Sequence, residues 1–197
     1  GLKNIVNKKL TDKYIFKLLD IWPKFLRAGI MEIFEIIKAE KKNNKCVKAV
    51  IYTNNMGPRS WTLLIKRYIE KKLRYKLFDK VITAYRPREL TNHRTTHSKT
   101  YSDLIKSTGY SKDAKFLFLD DQSHPLMMHS KIKYIHVYPY NYGVPFHQMI
   151  HDFVNSKYGK IIPHSERENF KQYMYQYLTA GTGYNRYTVK RTKINKR

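Results

Sequence analysis

The chain has 197 residues, enough for one domain of ordinary size and too few for two large independent cores. Hydrophobic residues make up 42% and charged residues 27%, which excludes wholesale disorder. Lys and Arg number 39 against 15 Asp and Glu, and the resulting net charge of +24 calls for an acidic partner: nucleic acid, a phosphoprotein or another anionic surface.

Thr11 is a suitable N-cap, and Ile15, Leu18, Leu19 and Trp22 follow at helical spacing until Pro23 interrupts. Ile30, Ile33, Phe34 and Ile37 mark a second helix that ends in the polar stretch 41–45. Residues 47–52 are short and rich in β-branched side chains, the pattern of a buried strand. Pro58 suits a first helical turn, and Trp61, Leu64, Ile65, Tyr68 and Leu73 continue it. A second strand is predicted over 77–83, followed by a basic loop with Arg86, Arg88 and Arg94. Ser98 is the expected cap of a helix with Tyr101, Leu104 and Ile105 on its inner face, ended by Gly109. Strands are predicted at 116–119 and 134–137. Pro145 opens a helix with Phe146, Met149, Ile150 and Phe153 on one side. Ser165 and Glu168 form a capping box ahead of a stripe of Phe170, Tyr173, Met174 and Tyr177.

Short apolar strands alternating with amphipathic helices imply an α/β fold, a parallel sheet covered on both faces with function at the carboxyl ends of the strands. The domain is expected to span 1–178, with a leading helix in 1–22, a core in 23–160 and a last helix in 161–178. Residues 181–197 form a tail expected to be flexible. It carries Arg186, Lys190, Arg191, Lys193, Lys196 and Arg197 without an acidic residue, and these are the candidate contacts to nucleic acid or another anion.

Three features at the strand ends carry chemistry. Thr53 and Asn54 leave the first strand for a helix, an arrangement suited to a phosphate oxygen and equally to a plain turn. Asp120 and Asp121 end the third strand, where two adjacent carboxylates suit a divalent cation or a turn. Lys99 stands at a helix start, where the helix dipole disfavours a cation, and among 39 basic residues a solvated surface lysine is the default reading.

Taken in order, Thr53, Lys99 and the Asp120-Asp121 pair resemble the second, third and fourth motifs of the haloacid dehalogenase superfamily. The flanks extend the likeness. Trp22-Pro23-Lys24-Phe25-Leu26-Arg27-Ala28-Gly29-Ile30-Met31-Glu32-Ile33-Phe34, His97-Ser98-Lys99-Thr100-Tyr101-Ser102-Asp103-Leu104 and Leu119-Asp120-Asp121-Gln122-Ser123-His124-Pro125 are similar to the branch of RNA polymerase C-terminal-domain phosphatases and NLI-interacting-factor-like phosphatases. That branch often has Asn where Asp121 stands. The resemblance implies a three-layer Rossmann-like fold. It also implies a phosphate site at Thr53, Asn54 and Lys99, catalytic roles for Lys99 and Asp120, and Mg2+ on Asp120 and Asp121. The implied reaction is hydrolysis of phosphoserine or phosphothreonine.

The family's first motif, D-x-D on the opening strand, supplies the nucleophile. No D-x-D occurs in the chain, and Asp20 lies on a helical pattern just before a proline. The first strand is therefore missing or replaced, and Gly1 in first position leads to the expectation of a longer natural product. The alternative is a fold without its nucleophile, serving as a structural or nucleic-acid-associated protein among virion components. The bias to Lys, Asn, Ile and Tyr suits the AT-rich genome of a large DNA virus.

The remaining signals are weaker. His147 and His151 sit one turn apart as in zinc-binding helices, but Gln148 stands where the base would be and no third ligand is evident. The 17 tyrosines are assigned mainly to packing stripes. A single cysteine, Cys46, excludes an internal disulfide and suits a reducing compartment. No apolar run approaches the roughly 20 residues of a membrane span. The expected location is intracellular, nuclear or in a virion.

Overall fold

A computed structural model of the chain describes residues 12–46, 48–87, 94–141 and 143–180. Ten regular elements follow in order: α1 (Asp12–Ile21), α2 (Ile30–Lys42), β1 (Val50–Tyr52), α3 (Arg59–Leu73), β2 (Lys80–Ile82), α4 (Tyr101–Thr108), β3 (Phe116–Asp120), β4 (Ile132–His136), α5 (Phe146–Asn155) and α6 (Arg167–Ala180). The described residues divide into two compact units, one within 26–141 and one that joins 12–25 with 143–180. The architecture is mixed α/β with short parallel strands, as the alternating pattern predicted.

The 26–141 unit holds all four strands in two parallel pairs. β1 pairs with β2 in the register Val50–Lys80, Ile51–Val81 and Tyr52–Ile82. β3 pairs with β4 from Phe116–Ile132 to Asp120–His136. The direction of the ladder bonds identifies the other edge of each pair. The Thr53 amide donates to the Ile82 carbonyl at 2.9 Å, so the backbone groups of Val50 and Tyr52 turn away from β2. The Phe116 amide donates to Lys131 and the Asp120 carbonyl accepts from Val137, so those of Leu117 and Leu119 turn away from β4. Among the described residues, neither outer edge has a strand partner.

β1 and β3 share a core nonetheless. Leu104 of α4, Phe118 and Met127 are buried together, with Tyr52, Phe116, Ile132 and Tyr134 packed around them. The Tyr52 and Phe118 rings meet edge to face at 6.3 Å. Beside β1 and β2, α3 buries Leu64, Tyr68, Ile69 and Leu73 along its helical stripe. On α2, the Phe34 ring lies edge-on to Phe78 at 5.5 Å.

Several boundaries differ from the sequence reading because side chains take the backbone partners that a longer strand or helix would use. β1 begins at Val50: the Ala49 amide donates to the Asp79 carboxylate at 2.8 Å, and Val47 lies outside the described residues. β2 is only three residues long, since the Phe78 amide goes to Glu70 at 3.0 Å and the Leu77 carbonyl accepts from Lys41 at 2.8 Å. Leu77 and Phe78 are buried all the same. The cap of α4 is Thr100 and not Ser98: its hydroxyl accepts from the Asp103 amide at 2.9 Å, and Gly109 ends the helix in the left-handed region at φ 67°.

In the second unit, α1, α5 and α6 are the predicted helices. α5 opens at Pro145 and buries Ile150 and Val154, and Phe153 meets Phe170 of α6 with ring centroids 6.0 Å apart. The stripe expected to bury α6 is covered only in part: Phe170 and Met174 are half-buried, no residue of this helix is fully buried, and Tyr173 and Tyr177 are exposed. The turn after α5 leaves no room for a side chain. A Cβ at Gly159 would lie 2.4 Å from the carbonyl oxygens of both Phe153 and Val154, which are backbone and cannot swing aside. Gly159→Ala should lower stability by about 1–3 kcal/mol, read as a drop in the thermal midpoint. An unchanged midpoint would show that the turn does not run this close to α5.

Candidate functional site

The candidate site collects where β1 and β3 end. Lys99, in the loop ahead of α4, reaches the end of β3 and donates its ammonium to Asp120 Oδ2 at 2.5 Å. Both side chains are largely removed from solvent, 8% and 10% exposed, so this is an enclosed ion pair and not a solvated surface contact. The ammonium also lies 5.7 Å from the Tyr52 ring centroid and 5.6 Å from that of Phe118. Two electron-rich faces and one carboxylate thus surround it.

Asp120 is held on every side. Its Oδ1 accepts from the Gln122 amide at 2.9 Å, and His124 Nε2 stands 3.4 Å from the same oxygen. Burial opposes ionisation of Asp120, but the Lys99 hydrogen bond, the Gln122 amide and the nearby positive charge outweigh it. The carboxyl is held below the usual range.

The exit of β1 is ordered by its own side chains. Thr53 is half-buried, and its hydroxyl accepts from the Asn55 amide at 3.0 Å. The Asn55 side chain accepts from the Gly57 amide at 2.8 Å, and Arg86 donates to the carbonyls of Met56 and Gly57 at 3.0 and 2.7 Å. Asn54 accepts from Arg94 Nη1 at 2.9 Å.

Beneath these residues lies a buried polar cluster. Arg94 and Asp103 form an ion pair through Nε and Oδ2, with both side chains 0% exposed. Asp103 also accepts from the Tyr52 hydroxyl, and from the amide and hydroxyl of Thr95 at 2.5 and 2.8 Å. The Arg94 guanidinium carbon lies 4.4 Å from the Tyr52 ring centroid. Burial raises the Tyr52 phenol well above its ordinary value, and its bond to Asp103 adds to that. Asp103 shifts the other way: burial opposes its charge, but the bonds from Tyr52 and Thr95 and the Arg94 cation prevail and keep it ionised.

Of the residues singled out from sequence, Lys99 and Asp120 are in direct contact. Thr53 and Asn54 join them through Tyr52 and Arg94. Asp121 follows Asp120 but is exposed. Arg186, Lys190, Arg191, Lys193, Lys196 and Arg197 lie outside the described residues. His147 and His151 are exposed on α5, and His151 lies 2.9 Å from Asn155.

Among the described residues, no group of three or more His, Cys, Asp or Glu side chains could hold a metal ion. Magnesium prefers octahedral oxygen ligation and parts reluctantly with its waters. One carboxylate already engaged by a lysine and one exposed neighbour do not fit that ion by themselves. Likewise, no described helix is long and apolar enough to cross a membrane.

Sequence reasoning missed Arg94, Asp103 and His124 as members of the site. The signal for Asp103 was present: Thr100-Tyr101-Ser102-Asp103 is a capping-box pattern. Its carboxylate leaves the local box, however, and turns to Arg94, Thr95 and Tyr52. No family model, curated protein or solved structure matches the chain, so the functional reading rests on its own residues and their geometry.

Proposed function

We propose that the 26–141 unit is the body of a haloacid-dehalogenase-type phosphatase of the C-terminal-domain phosphatase-like class, acting on phosphoserine or phosphothreonine in a protein substrate. The observation that carries the reading is the enclosed Lys99–Asp120 pair between the exits of β1 and β3. A phosphoryl group in flight concentrates negative charge on its equatorial oxygens, and a desolvated ammonium opposite them stabilises that charge strongly. The outer edges of β1 and β3 add support. Their backbone groups at Val50, Tyr52, Leu117 and Leu119 turn away from β2 and β4, the arrangement a three-layer Rossmann-like sheet needs if one more strand is to lie between the pairs.

The reading requires a strand and a D-x-D nucleophile that the 197 residues do not contain, and it holds only if a longer product supplies them. The first Asp attacks phosphorus and the P–O bond to the serine or threonine breaks. The second Asp gives its proton to the departing oxygen, and water then hydrolyses the aspartyl phosphate to inorganic phosphate. Thr53 and Asn54 bind the phosphoryl oxygens and Lys99 neutralises them. Mg2+ would be held by Asp120 and Asp121 only together with oxygen donors of the D-x-D segment, and would supply further charge neutralisation when bound.

If a longer product carries that segment, it should turn over a phosphoserine peptide with magnesium, and Asp120→Asn should lower its kcat by about 100-fold or more. Absence of turnover by that unmutated protein would overturn the reading.

A second reading is favoured by a separate observation, the charge of +24. In it the protein is an inactive relative that associates with nucleic acid and with virion proteins, and the basic residues of 181–197 meet phosphate. Binding to DNA or RNA, followed by filter retention, should then fall steeply between about 50 and 200 mM salt. Affinity indifferent to salt and to deletion of 181–197 would remove it. The reducing, intracellular, nuclear or virion setting expected from sequence belongs to both readings.

A further inference from the structure

We propose that Arg94 is a positioning residue that couples the two halves of the candidate site, holding the β1 exit loop and the loop that delivers Lys99 in one fixed relation. Its guanidinium is fully buried and directs its nitrogens to three different places. Nε faces Asp103 on α4. Nη1 donates to the Asn54 side chain beyond β1 at 2.9 Å. Nη2 donates to the carbonyls of Thr96, His97 and Ser98 at 3.1, 3.3 and 3.1 Å. The Ser98 carbonyl belongs to the peptide that carries the Lys99 amide, so the chain is pinned immediately before Lys99. Immediately after it, Thr100 caps α4 by accepting from Asp103. Lys99 is therefore clamped at both ends by one network, and only its side chain is left to select a partner.

The network reaches β1 by two further routes. Asp103 accepts from the Tyr52 hydroxyl, and the Tyr52 ring packs under the guanidinium and beside the Lys99 ammonium. A shift of the 94–100 loop would consequently move Lys99, Tyr52 and Asn54 together. Only an arginine can do this. A lysine ammonium offers one point charge with three donors and cannot face a carboxylate, an amide and three carbonyls at once. Full burial of such a pair brings little net stability compared with apolar packing, which is consistent with a role in fixing geometry.

The consequence for ligand binding rests on the phosphate site proposed above, whereas the hold on Lys99 does not. Both can be read by NMR on the 197-residue chain through the Lys99 side-chain ammonium. Enclosed and bonded to Asp120, it should exchange slowly enough to give a resolved 15N–1H signal at low temperature, and inorganic phosphate is the probe titrated against it. Arg94→Lys is expected to retain the amide signals of β3 and β4, to lose the Lys99 ammonium signal to fast exchange, and to weaken inorganic phosphate binding by roughly tenfold or more, comparable to a lost charge-assisted contact. A folded Arg94→Lys protein with the Lys99 signal intact would overturn the proposal. If phosphate leaves the wild-type Lys99 signal unmoved, the phosphate reading fails, and the positioning role is then judged on the exchange of that ammonium alone. Should Arg94→Lys fail to fold, the wild type decides. The Thr95 amide, bonded to Asp103, and the Lys99 ammonium should show protection factors within about tenfold of each other if one network opens as a unit. An unprotected Lys99 beside a Thr95 amide protected a hundredfold or more would overturn it.

Discussion

Replacing Asp103 by alanine is expected to destabilise the 26–141 unit by about 3–5 kcal/mol, the typical result of removing one member of a buried ion pair. Asp103 is 1% exposed, accepts from three donors, the Tyr52 hydroxyl and the amide and hydroxyl of Thr95, and pairs with the Arg94 guanidinium. Alanine would strand all of them at once, with a guanidinium among them that cannot lose its proton to escape. At an m of about 2 kcal/mol/M, the urea midpoint followed by circular dichroism should fall by about 2 M. Asp103→Asn keeps the volume and one acceptor and should lie between the two. A shift below about 1 kcal/mol for the alanine variant would mean that solvent reaches Arg94, contrary to its 0% side-chain exposure.

The second large effect concerns Lys99 and depends on pH. Lys99→Met should reduce stability by about 3 kcal/mol at pH 7, leaving the Asp120 carboxylate enclosed without its cation. In the folded wild type the Asp120 carboxyl is depressed, so its contribution is complete above the unfolded value of about 3.9 and is lost as pH falls through the folded one. Wild-type stability should therefore decline below about pH 4 as Asp120 takes up its proton. In Lys99→Met, burial acts on the carboxyl without the ammonium to oppose it, and protonation becomes favourable instead. The gap between the two proteins should narrow steadily from pH 7 to pH 3, as measured by urea titrations at each pH. A gap independent of pH would show that the lysine acts by packing and not by its charge. The double variant Lys99→Met with Asp120→Asn should be more stable at pH 7 than Lys99→Met alone, because no bare carboxylate is left.

The two predictions probe different parts of one site, and their readability from sequence differs accordingly. Lys99 and Asp120 could be picked out because each sits at an element boundary, a helix start and a strand end, where local pattern locates it within a residue or two. Their meeting at 2.5 Å required the chain to return across 21 positions. Arg94 was one basic residue in a basic loop, and Asp103 stood only in the flank of the Lys99 motif and in a local capping-box pattern. Nothing in their neighbourhood distinguishes a buried arginine from a solvated one. Tyr52, 51 positions from Asp103, was read as the end of a strand and not as a phenol bonded to a carboxylate.

Local sequence by itself determined much of the α3 stripe, where Leu64, Tyr68 and Leu73 are buried but Trp61 is exposed, the start of α5 at Pro145, the stop of α4 at Gly109 and the alternation that makes the chain α/β. All of these depend on contacts within about one turn or on the two- and 3.6-residue periods of side-chain direction. Tertiary structure alone decided the rest. Asp79 and Glu70 drew backbone amides away from β1 and β2 and shortened both strands. Tyr173 and Tyr177 of the α6 stripe are left exposed among the described residues. Arg94, Asp103 and Tyr52 closed a polar network beneath Lys99. The reason is the same in each case: the partner is far away in sequence, and a buried polar group or an apolar face is satisfied by whatever the folded chain brings beside it.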